Sequence, residues 1–144
     1  MEDAFKYDCF FNNTYVVTGA CALARSGLIL LSGRYLELQT SIEELSIFRT
    51  SIYTYYYNPE IDYEYKLQPS SSNPHLLQPS KERALVECIK HLDWIDEGLL
   101  IEGLKTYIEQ FYNKDKLNRV AKYFDLDSVT LDYWIEEAKN DYEV

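Results

Sequence analysis

The spacing of apolar and polar positions changes about halfway along the chain. In the front half the repeats are short. Thr14-Tyr15-Val16-Val17 reads as a strand, and Thr18-Gly19 opens a small-residue helix from Ala20 to Ser26. Ala20, Leu23 and Ala24 share one face of that helix, and Gly27 is its expected stop. Leu28-Ile29-Leu30-Leu31 is an apolar run expected as a buried strand, with a turn at Ser32-Gly33. Tyr35 to Gln39 predicts a strand with Leu36 and Leu38 on one face, and Ile42 to Phe48 one or two helical turns. Ser51 to Tyr57 is rich in β-branched and aromatic residues and reads as a strand. Ile61 to Leu67 alternates apolar with charged, the mark of a half-buried strand, and is expected to pair with it across Asn58-Pro59. Residues 1–12 suggest one or two helical turns.

Residues 68–79 form a Pro- and Ser-rich connector holding one extended piece, His75 to Gln78. Beyond it the period becomes helical. Pro79-Ser80 caps a helix with Ala84, Leu85, Cys88, Ile89 and Leu92 on one stripe. Three more follow, with inward stripes Leu100, Ile101, Leu104, Ile108 and Phe111; Leu117, Val120, Ala121 and Phe124; and Leu131, Trp134, Ile135 and Ala138. The pattern predicts an α+β protein with a small mixed β-sheet and a helix in the N-terminal half and a four-helix lobe in the C-terminal half. The expected division is a β-rich subdomain at 1–67, the connector at 68–79 and a helical subdomain at 80–144, together one compact unit.

Composition narrows the functional classes. The 144 residues carry a formal net charge of −10. A duplex-binding domain needs a basic footprint, so nucleic acid is not an expected partner. Anionic membrane is disfavoured for the same reason. Apolar runs fall far short of the roughly 20 residues needed to span a bilayer. Fourteen tyrosines supply amphipathic surface of the kind enriched where proteins meet. Three widely spaced cysteines, Cys9, Cys21 and Cys88, suggest neither a disulfide framework nor a zinc site, and suit the cytoplasm.

No catalytic constellation emerges. His75 and His91 lack partners at metal-ligand spacing. Thr18-Gly19-Ala20 between a strand and a helix, followed by Arg34-Tyr35-Leu36-Glu37-Leu38, loosely resembles the opening of minimal nucleotidyltransferases. In that family a Gly-rich turn faces the nucleotide phosphates, and two acidic residues one position apart on the next strand hold two magnesium ions. Here Glu37 stands alone, with Tyr35 and Gln39 two positions away. The last two helices resemble a helix-turn-helix, but the second would present Asp132, Glu136, Glu137 and Asp141 to phosphates. The expectation is therefore no catalytic residues, no metal, no cofactor and no enzymatic activity.

The stretch Leu77-Gln78-Pro79-Ser80-Lys81-Glu82-Arg83-Ala84-Leu85-Val86-Glu87 resembles the entry to the C-terminal helical region of AbiE-type antitoxins of bacterial toxin–antitoxin and abortive-infection systems. Tyr15 to Leu23, with Gly27-Leu28, is similar to the small-residue helix start of the same family. Many members begin with a winged-helix DNA-binding domain. The matched front here starts near residue 15, which leaves no room for one. The resemblance implies neutralisation of a nucleotidyltransferase-like toxin by direct protein contact, in the setting of phage defence. The alternatives are a small nucleotidyltransferase-fold enzyme, with Glu64 as a conceivable second acid, and a phage or mobile-element accessory protein that binds a host factor.

The candidate partner-binding residues are Arg83, Glu82, Glu87, Tyr53, Tyr55 and Tyr57. Each also has a structural reading. Arg83 sits four residues before Glu87, the spacing of a helical ion pair, and it is also placed to reach back and lock the β-rich front to the helices. Tyr53, Tyr55 and Tyr57 alternate onto one strand face, with Tyr56 on the other.

Overall fold

A computed structural model describes residues 14–31, 36–47, 53–71 and 73–140. The first strand, β1 (Tyr15–Val17), runs directly into α1 (Gly19–Arg25). Next come β2 (Leu36–Thr40), a short 3-10 helix (Glu43–Ile47), β3 (Tyr53–Tyr57), β4 (Leu67–Pro69) and β5 (Leu76–Pro79). The helices α2 (Lys81–Lys90), α3 (Glu97–Gln110), α4 (Lys114–Tyr123) and α5 (Ser128–Asn140) complete the chain, with a 3-10 turn at Leu92–Trp94. The class is α+β, as the pattern predicted, with the helices mostly in the C-terminal half. The turns expected at residues 1–12 and at Ser32-Gly33, and the start of the strand at Ser51, lie outside the described residues.

The sheet is mixed and ordered β3-β2-β1-β5-β4. β1 pairs antiparallel with β2, placing Val17 opposite Leu38, and parallel with β5, placing Tyr15 opposite Leu76. β3 lies parallel to β2, with Glu37 opposite Thr54 and Gln39 opposite Tyr56. The extended piece of the connector is therefore an inner strand that joins the edge strand β4 to β1.

Two expected strands are absent from the described structure. Ile61 to Lys66 forms turns because the Asp62 carboxylate accepts the backbone N–H groups of Glu64 and Tyr65, both at 2.8 Å. That local bond competes with a strand ladder. Lys66 then takes φ +54°, which ends any extended run. β3 consequently pairs with β2 instead of with this segment. Leu28 to Leu31 is likewise not a strand. Leu28 and Ile29 are buried, whereas Leu30 is exposed.

The helix starts follow the capping chemistry. Ser80 accepts from Arg83 N, Asp96 from Leu99 N and Asn113 from Lys116 N. Such caps contribute about 1 kcal/mol each. Leu100, Leu104, Leu117, Val120, Ala121, Leu131, Trp134, Ile135 and Ala138 all join one core with β1, β2 and α1. Leu92 does not, because α2 ends at Lys90, and Phe111 is exposed. α2 is the hub of the packing: Glu82 through Ile89 are buried without a break, covered by α1, α3, α4, α5 and β5.

Candidate functional site

Strand alternation puts Glu37, Gln39 and Tyr56 on one face of the sheet, and they meet the start of α1 and the polar side of α2. Glu37 is 7% exposed. Its Oε1 accepts the backbone N–H of Cys21 at 2.8 Å, and its Oε2 accepts the Tyr56 hydroxyl at 2.8 Å. Gly19 starts α1 with φ +64°, and the carboxylate lies against it, 3.0 Å from where a Cβ would stand. Burial pushes the Glu37 carboxyl above its ordinary pKa, and bonds from Cys21, Tyr56 and Ala20 pull it partly back. The carboxylate thus serves as the counter-charge to the first turn of α1, where unpaired N–H groups favour an anion.

Gln39, two positions along, is held on both sides of its amide. Its Nε2 donates to Glu87 Oε2 at 3.0 Å, and its Oε1 accepts from Asn58 Nδ2 at 2.8 Å. Glu87 in turn pairs with Arg83, with Nε 3.2 Å from Oε1. The guanidinium donates to the carbonyl of Tyr65 at 2.6 Å and to that of Asp62 at 2.8 Å. It also lies over the Phe124 ring at 4.9 Å. Asp62 accepts a bond from the Tyr123 hydroxyl, and the Tyr65 and Tyr123 rings stack at 3.7 Å. Burial would raise the Asp62 carboxyl, but the Tyr123, Tyr65 and Glu64 bonds and the Arg83 charge together hold it below its ordinary value. On the opposite side of α2, Glu82 accepts from the Tyr107 hydroxyl at 2.8 Å.

These positions revise the candidate contact set. Arg83, Glu82 and Glu87 are 0%, 7% and 4% exposed. They point into the protein, and Arg83 ties the turn at 62–65 to α2. The residues around them carried a signal of this. Ala84, Leu85, Val86, Cys88 and Ile89 are apolar beyond a single helical stripe, as in a helix covered on all sides. Of the tyrosines, Tyr55 is buried against Tyr15 with ring centroids 5.6 Å apart, Tyr53 is half-buried and Tyr57 is exposed. Sequence reasoning missed Gln39, Asn58 and Tyr56 as network members, because their partners come from distant segments.

Both described cysteines are buried thiols, and burial raises their pKa values. Among the described residues no group of three or more His, Cys, Asp or Glu side chains is arranged to hold a metal ion. Nor is any described helix long and apolar enough to cross a membrane. No protein-family model matches the chain, and no curated protein matches its sequence.

Proposed function

We propose that the protein is a cytoplasmic binding protein of the antitoxin type, which neutralises a nucleotidyltransferase-like toxin by direct contact and carries out no chemistry of its own. The observation that carries this reading is the commitment of Glu37. Its two oxygens accept from Cys21 and Tyr56 inside the protein, and Gln39 occupies the position where a second acid would be needed for two-metal chemistry. The net charge of −10 favours a partner with a basic face. The stretch from Leu77 to Glu87, which resembles the AbiE-type antitoxins, runs from β5 through the Ser80 cap into the buried hub α2. The resemblance on this reading lies in the scaffold, and the binding surface lies elsewhere. Co-expression with the toxin of a neighbouring gene tests the proposal. Growth is expected to be restored and the two proteins to co-purify; continued toxicity with both proteins present would refute it.

A second reading is a small enzyme on a nucleotidyltransferase fold. It is favoured by the placement of Glu37 directly beside Gly19 at the start of α1. It requires Glu37 to exchange its internal partners for a divalent ion. Titration with magnesium and nucleoside triphosphates, followed by amide shifts at Gly19, Ala20 and Cys21, distinguishes the two readings.

A further inference from the structure

A groove of about 490 Å3 opens where the end of the sheet meets the helices. Lys66 precedes β4, Lys81 begins α2 and Lys116 lies in the first turn of α4, and all three line it. None of the three forms an ion pair with another described residue. Lys81 instead lies over the ring of Phe111, 4.5 Å from its centroid, and that ring forms an exposed wall of the groove. The one acidic residue in the lining, Glu82, is buried and bound to Tyr107. A chain of net charge −10 therefore lines one concavity with three lysines from separate segments that form no ion pair among the described residues, Lys66 having only the Tyr65 ring 5.8 Å from its Nζ.

We propose that this groove receives an acidic segment of the partner protein, with two or more carboxylates meeting Lys66, Lys81 and Lys116 and an apolar side chain resting on Phe111. Size favours a peptide segment over a single phosphate. Pockets of roughly 300–1,000 Å3 suit ligands of many atoms. The donors also point this way. Lysines are mobile point charges that follow separate carboxylates, whereas recognition of one planar or tetrahedral anion favours the fixed fork of arginine, and no arginine lines the groove. Leu67 and Pro79 supply apolar floor beside the charges. The inference rests on the protein-binding reading above, to which it adds a surface and a partner chemistry.

The test uses the full chain and a defined probe, a fluorescent dodecapeptide rich in Glu with one central Leu, at low and at physiological salt. Saturable binding is expected, with amide shifts at Lys66, Lys81 and Lys116 and at least a tenfold loss in a Lys66→Gln/Lys81→Gln/Lys116→Gln variant. The same peptide with Gln for Glu is expected not to bind. Lys116→Glu alone, at an exposed helical site, provides a second variant if the triple one is unstable. Absence of saturable binding, or shifts elsewhere, overturns the assignment. So does binding of inorganic pyrophosphate at these lysines without binding of the peptide. If the triple variant still protects cells from the toxin as well as the original does, the groove assignment falls while the antitoxin reading stands.

Discussion

Glu37 occupies the space that a side chain at residue 19 would need. A Cβ on Gly19 would lie 3.0 Å from Glu37 Oε1. The backbone there has φ +64°, a region that costs other residues roughly 1–2 kcal/mol. Gly19→Ala is therefore expected to destabilise the protein by about 2 kcal/mol, from conformation and contact together. Adding Glu37→Ala should relieve the contact but not the conformational part. Urea unfolding of the single and double variants measures the coupling, and purely additive effects would show that the two residues do not compete.

Glu37 also sets a pH dependence. Burial raises its folded pKa above the ordinary value of 4.5, so the folded state binds this proton more tightly than the unfolded chain does. The contribution of this group is greatest below its unfolded pKa and is lost as pH rises through the higher folded one. Glu37→Gln removes that loss, and its stability relative to the original protein should improve as pH rises above 4.5. Glu37→Ala leaves the Cys21 N–H without its acceptor and should cost about 1–3 kcal/mol. Unfolding curves at several pH values decide the matter; a difference between Gln variant and original that does not change with pH would refute the assignment.

Arg83 and Glu87 form a buried pair whose members are unequal in their other duties. Arg83→Met strands Glu87 and leaves two carbonyls without donors, which should cost about 3–5 kcal/mol. Arg83→Met combined with Glu87→Leu should cost less than the sum of the single changes, by at least about 1 kcal/mol. Denaturant unfolding provides the measurement. Arg83→Lys serves as a milder probe, since it keeps the charge and loses the fork.

His91 stacks on Trp94 with ring centroids 3.8 Å apart, and Trp94 stacks in turn on Tyr56. Burial lowers the His91 pKa below 6.5, with Lys90 adding to the effect and Asp93 opposing it. The contribution of neutral His91 is present above its unfolded pKa and lost as pH falls through the depressed folded value. In a Trp134→Phe background, Trp94 emission should change with a midpoint below 6.5. His91→Gln should abolish that step, and a midpoint at or above 6.5 would contradict the burial of the ring.

Much of the helical half was legible because it rests on local rules. The 3.6-residue stripes and the capping side chain of Ser80 act within a few residues of one another. The sheet depends on distant pairing, which periodicity does not encode. Ile61 to Leu67 alternates like a strand, yet the Asp62 side chain offers nearby N–H groups a closer acceptor. The Pro-rich stretch before α2 looks like a spacer, yet Leu76 and Leu77 pair with Tyr15 and Val16. In the candidate site, the lone acid Glu37 and its missing companion could be read directly. Its bond to α1 could not, because Cys21 contributes a backbone group and not a side chain. Arg83 and Glu87 have the spacing of a surface pair, and the apolar residues all round α2 are the one sequence sign that they lie inside.

The position of β5 has a consequence for biosynthesis. On the ribosome, β1, β2 and β3 emerge early, but β1 lacks the neighbour on its other side until residues 76–79 leave the exit tunnel. A nascent chain that ends in the connector therefore exposes an open inner edge, which invites chaperone capture or aggregation. The two halves of the sheet join only as α2 begins to be translated, so sheet completion and the docking of Arg83 onto the 62–65 turn fall at nearly the same moment of synthesis.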